Sequence, residues 1–465
     1  MTSRLSDHAS DARLALSPTR WRSDRLRPVP SRAQPLALFL QGPVGAFFRT
    51  LRGKFRENGY EVLKVNFNGG DWIFDHGRDT INFRGPIARW TRWLEILIQR
   101  SRPTVMILFG DCRPYHRAAI EVAGRAGVPI WCLEEGYSRP HFVTCEPGGN
   151  NAFSPLRRGM DPEEEEEAEP PGPPARFVQG NSFRSMAANA MIYFSARALT
   201  LPLFRKNVQH RNRHIAIEAF LWSRCLYRKI ASYHENSSFL QNLVENSDGK
   251  YFVVALQVHD DLQLLCHGRG WTMERLITEV IQSFAQHASA QSGLVFKVHP
   301  MDRGHRSYRT FVAAIAATAG CANRVHVVDD GSIGLMIRHS QGVVTVNSTA
   351  GLSALNHCKP LLVLGDALYL MPGLAIRADE AGAMDRFWQG APLPDRRRIN
   401  AFLRRMHRES LINGNFYLRD GREQTCDLIF NHIHDGIGQA ATDGHGAPIP
   451  AGPAEDVAVL TPALP

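Results

Sequence analysis

Short, almost wholly apolar runs alternate with helical patterns in two separate blocks of this 465-residue chain, and that alternation limits the fold more than any other feature. In the first block, residues 35–41, 60–65, 104–109 and 128–133 read as buried strands. Residues 46–58, 86–100 and 115–126 carry apolar side chains at helical spacing, most clearly Trp90, Trp93, Leu94, Ile96 and Leu97. The second block repeats the pattern, with strands over 251–256, 293–298, 324–328, 342–346 and 360–364. Its helices are expected near 271–289, 305–319, 332–340, 349–357, 395–408 and 421–434. A strand that is apolar along its whole length is covered on both faces, and strand–helix alternation supplies that cover as helices on a parallel sheet. The expectation is an α/β fold of two Rossmann-like domains facing a cleft, with ligand groups at the C-terminal strand ends.

Composition marks the joints. Five consecutive glutamates and several prolines over 161–174 cannot pack a core, so 161–182 reads as an acidic, Pro-rich linker. The following stretch, 183–250, is helical in pattern and basic, with Arg184, Arg197, Arg205, Lys206, Arg211, Arg213, Arg224, Arg228 and Lys229. The expected organisation is a disordered arm over 1–34, an N-terminal domain over 35–160, the linker, the basic helical segment, a C-terminal domain over 251–435 and a disordered tail over 436–465. The formal net charge of +9 suits an anionic partner. A basic helix beside apolar stretches favours an anionic membrane surface, although a solvated bridge between domains has the same composition. Residues 186–204 are fairly apolar but contain Arg197 and Pro202, so no spanning helix is expected there. The first 35 residues lack the apolar core of a secretory signal, and eight scattered cysteines without any C-x-x-C suggest reduced thiols in a cytosol. No RNA- or DNA-reading module is present in the pattern, so no nucleic-acid partner is expected.

Polar residues gather at the expected strand ends. The strand over 128–133 runs into Glu134-Glu135-Gly136-Tyr137, where a carboxylate could serve as base or nucleophile, or simply be a solvated acid pair. The strand over 293–298 ends in Lys297-Val298-His299-Pro300, a cationic pair suited to a departing phosphate. Asn347, Ser348 and Thr349 precede a helix, where hydroxyls and free N–H groups can hold a phosphate or act as an ordinary N-cap. Gln257 follows the first strand of this block, and Asp330-Gly331 follows the third as donor-side ligand or helix cap. In the first block Gln41-Gly42, Asn68, Asp71, Asp111, Arg113, Tyr137 and Arg139 form a polar rim at the same edge. Phosphate-loop, nucleophile-elbow and zincin motifs are absent, and no well-placed D-x-D holds a metal, so no metal is expected.

Several of these strings occur together and in order: FLQGPVGAFFRTL, VNFNGGD, FGDCRPYHRAAI, EEGYSRPHFVT, LQVHDD, KVHPMDRG, VDDG, VNSTAGLSAL and LGDALYLMPGLA. Across about 36–156 and 251–375 the chain resembles the capsule polysaccharide biosynthesis and export family, in its shorter KpsS/LipB-like Kdo-transferase form. The resemblance implies a GT-B-like glycosyltransferase that takes β-Kdo, an eight-carbon acidic sugar, from CMP-β-Kdo and needs no further cofactor. It implies a phosphatidylglycerol-type lipid acceptor, a place at the cytoplasmic face of the inner membrane and other capsule proteins as neighbours. By the same resemblance Glu135, with Glu134 beside it, carries the reactive carboxylate; a glutamate stands where related Kdo transferases often have aspartate. His299, Ser348 and Thr349 map to CMP binding, with Lys297, Pro300, Asn347, Gln257, Asp330 and Gly331 completing the donor side. A β donor giving a β product implies two displacements with Glu135 as nucleophile; an inverted linkage would make it a general base. Another CMP-sugar transferase of the same fold, sialyl-type for example, and a non-catalytic export or scaffold component are the alternative readings.

Overall fold

The computed structural model describes residues 34–138, 140–158, 182–204 and 215–442. Most of the expected N-terminal arm, the acidic linker, and Arg205, Lys206, Arg211 and Arg213 lie outside the described residues, as does the tail beyond 442.

Two sheets organise the described chain. The first contains β1 (Leu36–Phe39), β2 (Glu61–Asn66), β3 (Thr80–Asn82), β4 (Val105–Phe109), β5 (Ile130–Glu135) and β6 (Phe142–Pro147), joined later by β13 (Leu411–Asn413). Its order is β13-β6-β5-β4-β1-β2-β3. The five strands from β3 to β5 run parallel, whereas β6 pairs antiparallel with β5 and β13 antiparallel with β6. The second sheet contains β7 (Tyr251–Ala255), β8 (Gly293–Lys297), β9 (Val325–Val328), β10 (Gly342–Thr345), β11 (Leu361–Val363) and β12 (Ile376–Arg377), in the order β12-β11-β10-β7-β8-β9 and parallel throughout. Both sheets are doubly wound, so the two Rossmann-like halves expected from the alternation are present.

Helices cover all four faces. The helix Phe47–Glu57 buries Phe47, Phe48, Leu51 and Phe55, the three- and four-residue spacing of one helical stripe, against β1. The helix Trp90–Ser101 buries Trp90, Leu94, Leu97 and Ile98 on the opposite face, and stops where Arg102 turns into the left-handed region at φ 44°. In the second half, Thr272 caps the helix Met273–His287 by accepting from the Arg275 N–H, and six apolar residues of that helix pack on β7 and β8. Fully buried strands such as β4 and β7 explain the unbroken apolar runs.

Three features depart from the expectation. β5 continues through Glu134 and Glu135 rather than ending at Leu133, because β6 pairs with that extension, Glu134 opposite Thr144 and Glu135 opposite Val143. The end of the chain, assigned to the C-terminal half as far as 435, returns to the first half: β13 joins β6, and the helix Arg422–Thr442 packs beside Phe47–Glu57. That helix also runs seven residues into the stretch expected to be disordered. Apolar Ile429, Phe430 and Ile433 bury against Phe55 and Trp131 and fix it in place. The basic segment forms the helices Ser182–Leu199, Ile215–Ala231 and Tyr233–Asn246. Among the described residues no helix is long and apolar enough to cross a membrane.

Candidate active site

In each doubly wound sheet the strand order reverses once, and the crevice at that reversal is where ligands bind. In the first sheet it falls between β1 and β4, which end at Gln41 and at Gly110-Asp111. In the second it falls between β7 and β10, which end at Gln257 and Asn347. These edges meet. Gln257 and Asn347 exchange two hydrogen bonds, at 2.9 and 3.2 Å. The Asn347 amide then donates to the Gln263 carbonyl at 2.9 Å, and the Gln263 amide donates across to Asp111 Oδ1 at 3.3 Å. Two hydrogen bonds therefore carry Asn347 of one half to Asp111 of the other.

The paired carboxylates separate at this edge. Alternate strand residues face opposite sides, and Cys132 and Leu133 already belong to opposite cores. Glu134 sits over Gly110, so close that a Cβ built there would lie 3.1 Å from its Oε2. Its Oε1 accepts from the Glu135 N–H at 3.2 Å. Burial, reinforced by the Glu135 charge and only partly opposed by Arg113, pushes the Glu134 carboxyl up to about 7. Glu135 instead accepts from the Tyr417 hydroxyl at 2.8 Å. The sequence assigned the reactive role to Glu135; the carboxyl beside the Asp111–Arg113 turn belongs to Glu134.

The rest of the first-half rim is more enclosed than its sequence suggested. Gln41 donates to both Asp71 oxygens and to the Tyr193 hydroxyl at 2.9–3.0 Å, and accepts from Arg113 and Tyr115. Asn68 caps the helix Gly69–Phe74 and donates to Tyr193 at 2.8 Å. Gln41, Asn68 and Asp71 are buried and bind Tyr193 of the helix Ser182–Leu199, so they anchor that helix rather than line an open rim. Gly42 is packed under Phe48, where a Cβ would come within 2.6 Å. Tyr137 is buried too: its hydroxyl donates to Glu146 at 2.8 Å and accepts from the Asn151 N–H. Asp111 and Arg113 do stand at the junction, the Arg113 guanidinium over the Phe109 ring. Arg139 lies outside the described residues.

On the donor side, Lys297 is buried and donates to the carbonyls of Val298 at 2.8 Å and Asp329 at 3.4 Å. Burial lowers its pKa to about 8. It braces two strand ends rather than offering charge to a phosphate. Asp330 pairs with Arg303 at 2.9 Å, while Ser332 caps the next helix, so Asp330 is not the cap. Gly331, at φ 101°, permits the turn between them. His299 is partly buried and its Nδ1 faces the Met301 N–H at 3.2 Å, with Pro300 exposed beside it. The Ser348 hydroxyl accepts from the Ala350 N–H at 3.2 Å, and Thr349 is exposed.

Residues that went unassigned in the sequence complete the junction. His259 Nδ1 lies 2.7 Å from Asp302 Oδ1, and Tyr308 donates to the other oxygen. Burial would raise the Asp302 pKa, but the His259 and Tyr308 hydrogen bonds outweigh it and hold the carboxyl below its usual value. Gln263 forms the bridge already described, and His267 Nε2 lies 3.2 Å from Cys112 Sγ of the first half. The LQVHDD and HPMDRG strings contained His259 and Asp302; nothing in sequence paired them. A cavity of about 290 Å3, lined by Phe239, Arg309, Val312 and His326 among others, lies on the flank of the second sheet, away from these strand ends.

Comparison with known proteins identifies relatives of this chain. The chain is 34% identical over 390 residues to the capsule polysaccharide modification protein LipB of Neisseria meningitidis serogroup A, covering 82% of this chain and 91% of LipB. It is 33% identical over 381 residues to the capsule polysaccharide export protein KpsS of Escherichia coli, covering 82% and 96%. Among solved structures, the KpsC beta Kdo 2,7 transferase of Thermosulfurimonas dismutans is similar over 80% of this chain and 90% of that one, at 14% identity and a TM-score of 0.40. The capsule polysaccharide biosynthesis protein model matches residues 104–417, and the chain belongs to that family.

Proposed function

We propose that this protein is a glycosyltransferase that moves β-Kdo from CMP-β-Kdo to a phosphatidylglycerol-type lipid, with Glu134 as the reacting carboxylate. The observation that carries the reading is Glu134 itself. It is a carboxyl with a pKa near 7, placed at a strand end where two doubly wound halves meet. A carboxyl tuned to that value is poised to act as nucleophile or base at neutral pH. On a double-displacement route, Glu134 attacks the anomeric carbon as the C–O bond to CMP breaks. The acceptor hydroxyl then attacks the same carbon, the bond to Glu134 breaks, and the hydroxyl proton passes to the released CMP phosphate or to solvent. His299, Ser348 and Thr349 receive the CMP phosphate, and Asp302 holds His259 in one orientation beside them.

The lipid acceptor is supported by the surface of the basic helices. Leu199, Tyr227, Ile230, Met191, Phe220 and Leu226 are each at least 60% exposed, interleaved with Arg184 and Lys229. Exposed apolar side chains beside cations suit an anionic bilayer surface. Such a surface would hold the protein at the inner membrane, where other capsule proteins would work.

Purified protein with CMP-Kdo made in situ and a fluorescent phosphatidylglycerol tests the reading by product mass. The expected product is heavier by one or more Kdo units and its formation is lost in Glu134→Gln, while CMP still binds. CMP release from no sugar donor at all would favour a scaffold or export component instead. Product formed only from another CMP-sugar would change the donor. Sedimentation with anionic vesicles tests the surface: Arg184→Glu with Lys229→Glu should release the protein, and unchanged binding would remove the membrane role.

A further inference from the structure

The junction contains a second cluster that sugar transfer does not use. Asp111, Cys112 and His267 are all buried, and one donor atom from each lies within 4.8 Å of the others. Cys112 Sγ stands 3.1 Å from Asp111 Oδ1 and 3.2 Å from His267 Nε2. Asp111 and Cys112 leave the first sheet after β4, whereas His267 ends the helix Leu262–His267 of the second half. The cluster therefore spans the two halves.

Each member is held in place by its neighbours. The Asn150 N–H fixes Asp111 Oδ2 at 2.8 Å and turns Oδ1 toward the thiol. The His267 ring is set edge-on against Phe153, 4.6 Å between centroids. The exposed Cys266 thiol donates to the Cys112 carbonyl at 3.5 Å.

We propose that Asp111, Cys112 and His267 form a binding site for a zinc-type divalent cation that ties the two halves together across the crevice. Thiolate, imidazole and carboxylate are the donors that zinc takes in a four-coordinate site, and a set containing sulfur disfavours magnesium and calcium. Binding replaces the Cys112 S–H bond with a metal–sulfur bond and releases one proton to solvent.

The test uses the full chain, reduced and freed of metal with a chelator, then titrated with Co2+. One equivalent should bind with thiolate-to-cobalt charge-transfer absorption that Zn2+ removes and Mg2+ does not. Cys112→Ser should abolish that absorption. His267→Gln should weaken Zn2+ binding by more than the about 100-fold that losing an outer-shell partner costs. X-ray absorption of the zinc-loaded wild type gives a reading independent of any variant's folding, and should contain both sulfur and imidazole scattering. Absence of a sulfur ligand, or charge-transfer absorption that survives Cys112→Ser, would overturn the site. None of these readouts depends on sugar transfer.

Discussion

Replacing Glu134 by Gln should make the protein more stable above neutral pH while removing its activity. The carboxyl stands at about 7 in the folded chain against an ordinary 4.5. Because the folded value is raised, the native state holds the proton more tightly than the unfolded chain. Its contribution to stability is complete below about pH 4.5 and is lost as pH rises through about 7. A shift of this size corresponds to roughly 3 kcal/mol, and solvent reaching a partly buried side chain reduces it to about 1–3 kcal/mol. Glutamine copies the protonated shape and can keep the hydrogen bond from the Glu135 N–H. The variant should therefore match wild type at pH 4.5 and exceed it by that margin at pH 8, read from denaturant midpoints. Transfer should fall by about 100-fold or more in the variant. In wild type, kcat/KM should fall about tenfold for each pH unit below 7, as the ionised fraction does. A glutamine variant that is less stable at pH 8, or equally altered at both pH values, would refute the electrostatic argument. One that retains full transfer would refute the catalytic assignment.

Three further outcomes follow from the same geometry. Glu135→Gln can keep the hydrogen bond from Tyr417 and should retain transfer; loss of activity matching Glu134→Gln would return the reactive role to Glu135. Tyr193→Phe removes a hydroxyl shared by Gln41, Asn68 and Asp71 and should cost about 1–3 kcal/mol, detectable as faster proteolysis within 182–204; an unchanged cleavage rate would contradict the anchoring role. Gly351→Ala would place its Cβ 2.3 Å from the Tyr369 ring and should cost about 1–3 kcal/mol, read as a lower thermal midpoint; a stable, fully active variant would show that the ring has room to move.

Much of the fold was legible because burial on both faces leaves a mark in one dimension. β4 and β7 are buried at every position, so their apolar runs could be read directly, and the helices between them followed from three- and four-residue spacing. The strands that escaped notice, β3, β6, β12 and β13, are short or lie at the antiparallel edge of the first sheet, where polar residues such as Glu146 and Asn413 interrupt the apolar signal. Gln41, Asn68, Asp111 and Arg113 do follow strand ends. Which of them pack inward was not legible, because Gln41, Asn68, Asp71 and Tyr137 have partners up to 152 residues away that only packing brings near.

The sequence by itself determined two doubly wound halves, the edge of each sheet that carries the polar groups, and the family. Tertiary structure alone decided what those groups touch. Two adjacent glutamates look interchangeable in a string, but once β6 extends β5 through both of them the pleat sends one beside Gly110 and the other to Tyr417. Cys112 and His267 are 155 residues apart in the chain and 3.2 Å apart in space. Chemical reach falls off over a few ångströms, whereas sequence records only the order in which residues were joined.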